Sequence, residues 1–476
     1  MIYGAINKYL YKNQRYKNQW SYWIGITVIV MFLSIGSMKT RIVFANEIFN
    51  YNKGSPLPLI HLNTPEDEYI NRYEDTFGVL VQNDSSNDIK IKLHGKSSIT
   101  YKQKSFEVEF INKEKESISK PFFNLPIGKE WIFHSPYVDR SLVRNALAYR
   151  LGREMGATHN NYSFAPRSFF TEVSLDDEYH GVYLVVERNE LGKFRIDIPK
   201  MELDKPEQVS FILEVSSKSG NFTSKYGTGI KYRYPKINNF DKWEKINPIN
   251  TKKIKKNIQA RINSFEDALV SDQFEDPKLG YAAHINVDSF VDYLIMQEVS
   301  KNVDGYRRST WFYAGPEGKI TMGPIWDFDV AFGNLNFYRM GTRFGWVVHK
   351  KRFFDGNRPT FWFRRLLEDP AFVKKVIDRY YFLREAGQIL SMNHIRTIID
   401  EFISTLGEAG LRQEDRWRNT YTNPLHSILF HAFPWKRTFY GNLDLIDSWI
   451  FKRLNWMDKH IQQIGYVDPE VLEQEE

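Results

Sequence analysis

Cysteine is absent from the 476 residues. Disulfides, thiolate metal sites, iron–sulfur clusters and cysteine nucleophiles are excluded with it. Acidic residues are absent from the first 45 positions, which hold six basic ones, and the remainder carries 59 basic against 58 acidic residues. The net charge of +7 is therefore almost wholly a property of the leader. A nearly neutral remainder lacks the clustered positive field that neutralises a phosphate backbone, so no nucleic acid is expected as a partner. Internal repeats and long low-complexity tracts are also missing. With 42% hydrophobic and 26% charged residues, the chain has the composition of a folded protein and the length of several domains.

One long apolar run is present. Tyr22 to Met38 is 17 residues without a charge, preceded by Lys8, Lys12, Arg15 and Lys17. This order fits a membrane anchor at the short end of the spanning range, or a secretory signal cleaved after Val43, Phe44 and Ala45. Residues 1–45 are expected to be one or the other. The basic flank would stay cytoplasmic and everything after about residue 45 would lie outside, membrane-anchored or secreted. Residues 46–68, with Gly54, Ser55, Pro56 and Pro58, read as a linker. The last ten, 467–476, hold five acids and read as a fraying tail.

Between them an α+β fold is expected, β-rich over 69–235 and mainly helical over 236–466. Ile89, Ile91 and Leu93, then Phe106, Val108 and Phe110, alternate as half-buried strands do. Asp139 opens a helix running to about Met155, and Phe169 to Glu187 reads as a hairpin. Ile254, Ile258, Ile262, Phe265 and Leu269 mark one helix face, with Lys252, Lys253, Lys255 and Lys256 at its start, read as a solvated face or a polyanion contact. Asp288 and the Asp369-Pro370 pair are expected to cap further helices, followed by helices over 393–414 and 445–464.

The densest chemistry lies in 302–334. Asp304 precedes a hairpin whose return strand leads into Asp327, Phe328 and Asp329. Aspartates at i and i+2 in extended backbone point to one side while the aromatic between them anchors in a core, and such a pair offers hard oxygens to a divalent cation. A hairpin brings its ends together, so Asp304 and the pair are expected at one mouth, as phosphoryl transfer requires. An isolated Asp-Phe-Asp is more often a solvated loop. The context changes that weighting.

Together these segments resemble the spore-coat CotH kinase family of atypical, secreted or coat-associated protein kinases. His94-Gly95-Lys96-Ser97-Ser98 with Lys102, Lys104, Ser105 and Phe106 is similar to its Gly-x-Ser-Ser segment and Lys-Ser-aromatic strand. Arg144-Asn145 resembles its Leu-Arg-Asn motif, Gly181, Tyr183, Leu184 and Glu187 its hairpin, Asn302 to Tyr306 its Asn-x-Asp-Gly-Tyr element, and Pro324 to Gly333 its Pro-x-Trp-Asp-x-Asp block. The resemblance implies a kinase-like two-lobed fold, ATP with Mg2+ or Mn2+, and transfer to Ser or Thr of a protein acceptor, such as a coat or cell-surface protein. It implies Lys104 at the phosphates, held by Glu187 unless Glu187 touches the nucleotide, with Arg144 as a secondary phosphate contact. Asp304 would orient the acceptor hydroxyl, and Asp327 or Asp329, or both, would bind the metal. Ser309 stands where the family usually has Asn, a shorter and weaker ligand. His94 stands in place of the usual Arg. Two other readings stay open at this stage. One is a carbohydrate-active or cell-wall-binding protein using the 12 Trp, 27 Tyr and 35 Phe; the other is a structural coat protein without turnover.

Overall fold

The computed structural model describes residues 57–466, apart from 66–67, 84, 97, 162, 217–219, 336–340, 351–358 and 422–437. The expected leader with its apolar run, the acidic tail and Ser97 lie outside the described residues. Among the described residues no helix is long and apolar enough to cross a membrane.

Alternating apolar residues build a closed barrel first. Its strands are β1 (Leu59–Asn63), β2 (Thr76–Gln82), β3 (Ser85–His94), β4 (Ser105–Phe110), β7 (Glu130–His134), β8 (Ser168–Leu175) and β9 (Glu178–Glu187), in the order β1-β2-β3-β4-β7-β9-β8. The short hairpin β5 (Lys120–Phe122) and β6 (Leu125–Gly128) stands beside it. Phe106, Val108, Trp131, Phe133, Tyr183 and Val185 fill the interior. Each contributes roughly 1.5–3 kcal/mol by leaving water. β1 falls inside the stretch read as linker over 46–68, because Ile60 and Leu62 pack into this core and Leu59 to Leu62 pair with β8 in parallel.

The helix α1 (Arg144–Ala157) packs across the barrel's outer face. It starts later than Asp139 predicts, yet the Asp139 carboxylate still accepts from the Arg144 amide at 2.8 Å and so serves the first turn. A second sheet, β11-β12-β10-β13-β14, joins β10 (Phe211–Val215), β11 (Phe222–Thr223) and β12 (Gly229–Tyr234) to β13 (Thr310–Ala314) and β14 (Thr321–Met322). A lobe boundary at 235/236 would therefore cut a hydrogen-bonded sheet. Helices α2 (Ile237–Ile246), α3 (Pro248–Val270), α4 (Val287–Ser300), α5 (Trp362–Leu366), α6 (Pro370–Arg384), α7 (Met392–Leu406), α8 (Ala409–Tyr421) and α9 (Phe439–His460) supply the rest of the large core. The outcome is α+β, β-rich first and helix-rich later.

Two helix expectations change. Asn286 caps α4, its side chain accepting from Ser289, while exposed Asp288 pairs with Lys375. The helix expected over 393–414 splits at Gly407 into α7 and α8.

Candidate active site

Past β14 the chain leaves extended geometry, and Asp327 has φ +69°. Asp327 and Asp329 therefore do not share a strand face, as the i, i+2 argument predicts, and each finds its own partners. Phe328 between them is fully buried, edge-on to Tyr149, which stacks on Trp326. The first turn of α1 holds this loop. Asn145 accepts from the Phe328 amide at 2.8 Å and donates to the Asp329 carboxylate, and Arg144 Nε donates to the Ala331 carbonyl at 3.2 Å. From β7, His134 Nε2 lies 2.9 Å from Asp329 Oδ1.

The second acidic segment is tied to the first by Asn302. Its amide donates to the Asp327 carbonyl at 3.2 Å, and its Oδ1 accepts from the Asp304 amide at 3.1 Å. Fully buried Arg307 donates to Asp304 Oδ1 at 2.6 Å, and Ser309 Oγ donates to Asp327 Oδ2 at 2.9 Å. Lys301, Tyr306, Ser309, Asp327 and Phe332 all hold positive φ without being glycine. Such conformations are sparsely populated and gather where surrounding structure enforces a particular placement of groups.

The electrostatics follow from this crowding. Burial, then the neighbouring charges of Asp304 and Asp329, push the Asp327 carboxyl up to about 7, against the opposing effects of the Ser309 hydrogen bond and His134. Burial lowers the pKa of His134, but Asp329, with a smaller effect from Asp327, more than offsets it and the net direction is up. Tyr101, stacked on Tyr137, is pushed up to about 12 by burial and by Asp329 and Asp327, so the turn before β4 also approaches the acidic centre.

Thus Asp304, Asp327, Asp329 and Ser309 come together, whereas the pairing of Lys104 with Glu187 that the resemblance implies does not form. Lys104 precedes β4, and its amine donates to the Ile99 carbonyl at 2.7 Å. Glu187 pairs in register with Trp131, which points into the barrel, and its carboxylate is bound by Arg167. Through Trp131 it lies level with Val108, four residues or roughly 13 Å along the strands from Lys104, so no Lys104–Glu187 pair forms. Arg144 is 3% exposed and its guanidinium is committed to Asp139.

The outside of the barrel carries a different ion-pair network. Arg188 bonds Glu107, and its Nε lies 3.5 Å from Glu130. His94 lies 3.7 Å from Glu107, and Lys90 pairs with Glu109 and Lys236 with Glu130. Glu107, Glu109 and Glu130 place ligand atoms within 4.8 Å of one another, but Arg188, Lys90 and Lys236 neutralise them. Burial pushes Glu107 up, and Arg188 and His94 reverse this and hold it well below the usual carboxylate range. Glu214, Lys231 and Arg233 share one face of the second sheet. Lys231 is lowered by burial, with Arg233, Lys96 and Arg72 adding to the effect against Glu214, so cations from barrel and sheet face each other. Asn189, just after β9, is buried with neither amide atom partnered among the described residues. A cavity of about 530 Å³ beside Asn286, Tyr313 and Lys319 contains none of the site aspartates.

Residues 91–457, about three quarters of the chain, match the family described as CotH kinase protein. The chain belongs to the CotH kinase family. No curated protein matches it. Membership in the CotH family supports a general atypical protein-kinase-like function, with ATP and metal use, and is consistent with a coat or extracytoplasmic role. His134, Tyr101, Arg188 and Arg307 escaped the sequence reading of this CotH chain. Asn145 carried a motif resemblance but no role. A polar residue ending an apolar strand, as His134 does after Trp131, Ile132 and Phe133, was the one available signal.

Proposed function

We propose that this chain transfers the γ-phosphoryl group of ATP to a Ser or Thr hydroxyl of a protein acceptor. The observation that carries this reading is the convergence of Asp304, Asp327 and Asp329, two chain segments fastened by Asn302 and crowded enough to drive one carboxyl to about 7. Crowding of like charge in a half-buried site makes a cation the natural partner, and hard carboxylate and hydroxyl oxygens suit Mg2+ or Mn2+. Asp327 and Asp329 would hold that ion, with Ser309 steering Asp327 through its hydroxyl. When bound, the ion would neutralise charge developing on the phosphates.

The remaining work belongs to the chain's own residues. Asp304, fixed by Arg307, accepts a hydrogen bond from the acceptor hydroxyl and orients its oxygen in line with the γ-phosphorus. The acceptor O–P bond forms as the bond to the β-phosphate oxygen breaks; the hydroxyl proton passes to Asp304 or solvent, and ADP leaves. In this reading Arg188, paired with Glu107 on the outer face of the barrel, would take the phosphate contact expected of Lys104. The unpartnered Asn189 amide, at the crossover from barrel to second sheet, suits the base. Arg144 and Glu187 serve the scaffold in this reading, by fixing the metal loop and the end of β9.

The barrel and the helical half then act as the two lobes of a kinase-like fold, exported behind the anchor or signal over 1–45. The test is transfer of label from γ-labelled ATP to serine-rich acceptor protein by the unit from Leu57, with Mg2+ or Mn2+. Asp304→Asn and Asp327→Asn proteins should remain folded and lose transfer. Unchanged transfer in Asp327→Asn, or failure of the parent to bind any nucleotide, would defeat the proposal.

A further inference from the structure

The lysine run at the start of α3 takes no part in the site described above. Asn247 breaks α2 from α3 and caps the latter, its side chain accepting from the Asn250 amide. A sharp corner results, with Ile246 closing α2 and Ile249 in the first turn of α3. Both isoleucines are out in solvent, 74% and 69% exposed. Along α3, Ile254, Ile258, Ile262, Phe265 and Leu269 point into the core. Ile249, Lys252, Lys253 and Lys256 recur at i, i+3, i+4 and i+7 and therefore form a stripe on the other side, all exposed. Lys242 and Lys245 of α2 are exposed at the same corner.

Residues 242–256 thus hold six lysines against Glu244 alone, in a chain whose remainder is nearly neutral after the leader. Among the described residues, only Lys255 of the six has a carboxylate partner, Glu244 at 3.2 Å. Single exposed apolar residues are ordinary, but two isoleucines at the tip of a helix corner, ringed by unpaired lysines, combine two independent signals. Cations alone would suit any polyanion, whereas exposed isoleucines at the tip favour a surface that takes up apolar groups beneath an anionic layer.

We infer that the α2–α3 corner docks on an anionic lipid surface, with Ile246 and Ile249 entering the headgroup region and Lys242, Lys245, Lys252, Lys253 and Lys256 meeting lipid phosphates. The inference is independent of the phosphotransfer reading. It gives the lysine run a partner, and it would fix which side of the exported unit turns toward the membrane. Each lysine near such a surface contributes roughly a fivefold factor in partitioning at low salt, and this factor shrinks as screening rises.

The test is co-sedimentation of the unit from Leu57 to Glu476, which forms its own barrel and core, with vesicles. The vesicles are phosphatidylcholine with and without a one-third share of phosphatidylglycerol. A heparin column run in parallel reports polyanion binding alone. Binding is expected only with the anionic lipid, falling steeply with salt. It should drop about tenfold or more in Lys252→Glu/Lys253→Glu. Ile246→Ser/Ile249→Ser should lose vesicle binding about tenfold while keeping its retention on heparin and its melting temperature. Equal vesicle binding by the isoleucine variant would make the corner a polyanion contact and overturn the inference, as would no binding of the parent protein to anionic vesicles at low salt.

Discussion

Replacing Asp327 with Asn removes the charge that the acidic centre tolerates least. Its carboxyl stands at about 7 in the folded protein against 3.8 for an ordinary aspartate, raised by burial and by Asp304 and Asp329. The folded state therefore keeps a proton that the unfolded state releases, and stability falls as pH rises from about 4 through about 7. Three pKa units correspond to about 4 kcal/mol. Because the carboxylate is only partly buried, water screening reduces this to about 2 kcal/mol. Without divalent cation, Asp327→Asn should accordingly be more stable than the parent by about 2 kcal/mol at around pH 8 and equal to it near pH 4. For a unit of this size that corresponds to roughly 2–3 °C in melting temperature. Added Mg2+ or Mn2+ should raise the melting temperature of the parent and do much less for the variant. Melting curves by calorimetry at several pH values decide the matter. Parallel stability curves for the two proteins from acid to neutral pH, or a variant less stable than the parent near pH 8, would refute the crowding argument.

The Glu298–Arg453 pair is completely buried and also holds the Tyr306 hydroxyl, so Arg453→Met leaves an uncompensated charge. It should cost about 3–5 kcal/mol in urea unfolding, with much of this regained in a double variant that also carries Glu298→Met. Gly181 has φ +104°, and a Cβ there would meet Gln413 Oε1 at 2.1 Å, so Gly181→Ala strains the backbone and disturbs the bond from the Val182 amide to Gln413, and should lower the unfolding free energy in urea by about 1 kcal/mol or more. Asn145→Ala frees Asp329 and the Phe328 amide together; cation affinity by calorimetry should fall, with a stability loss of about 1–3 kcal/mol. Arg188→Ala should weaken ATP binding about tenfold, as loss of a charge-assisted bond does, while Lys104→Ala changes it far less. Fluorescent nucleotide titration of both variants checks the assignment, and the opposite ranking would return the phosphate role to Lys104.

Much of the architecture could be read along the chain. Alternation marked β3, β4, β8 and β9; the spacing of Ile254, Ile258 and Ile262 marked α3; and Asp369-Pro370 marked the start of α6, where Asp369 accepts from Ala371. β1 was hidden because five residues after a Gly- and Pro-rich stretch carry too little pattern to separate a strand from a linker. The break at Gly407 was hidden because the apolar periodicity continues across it. At the site, Asp304, Asp327 and Asp329 were legible because acids flanking a hairpin must end near one another, whatever the details of the turn.

The sequence by itself determined the order of elements, the cysteine-free chemistry and the three acids that share a mouth, since local periodicity and chain connectivity suffice for these. The tertiary structure alone decided which side chains fix them and where the charged groups of the barrel point. Side-chain direction reverses at every residue of a strand, so a single step in register sends Glu187 to the barrel interior while Arg188 reaches Glu107 outside. The contacts that fix Asp329 come from Asn145 and His134, 184 and 195 residues away along the chain. No local pattern spans such separations, because only the packing of α1 and β7 against the loop brings those groups within hydrogen-bonding distance.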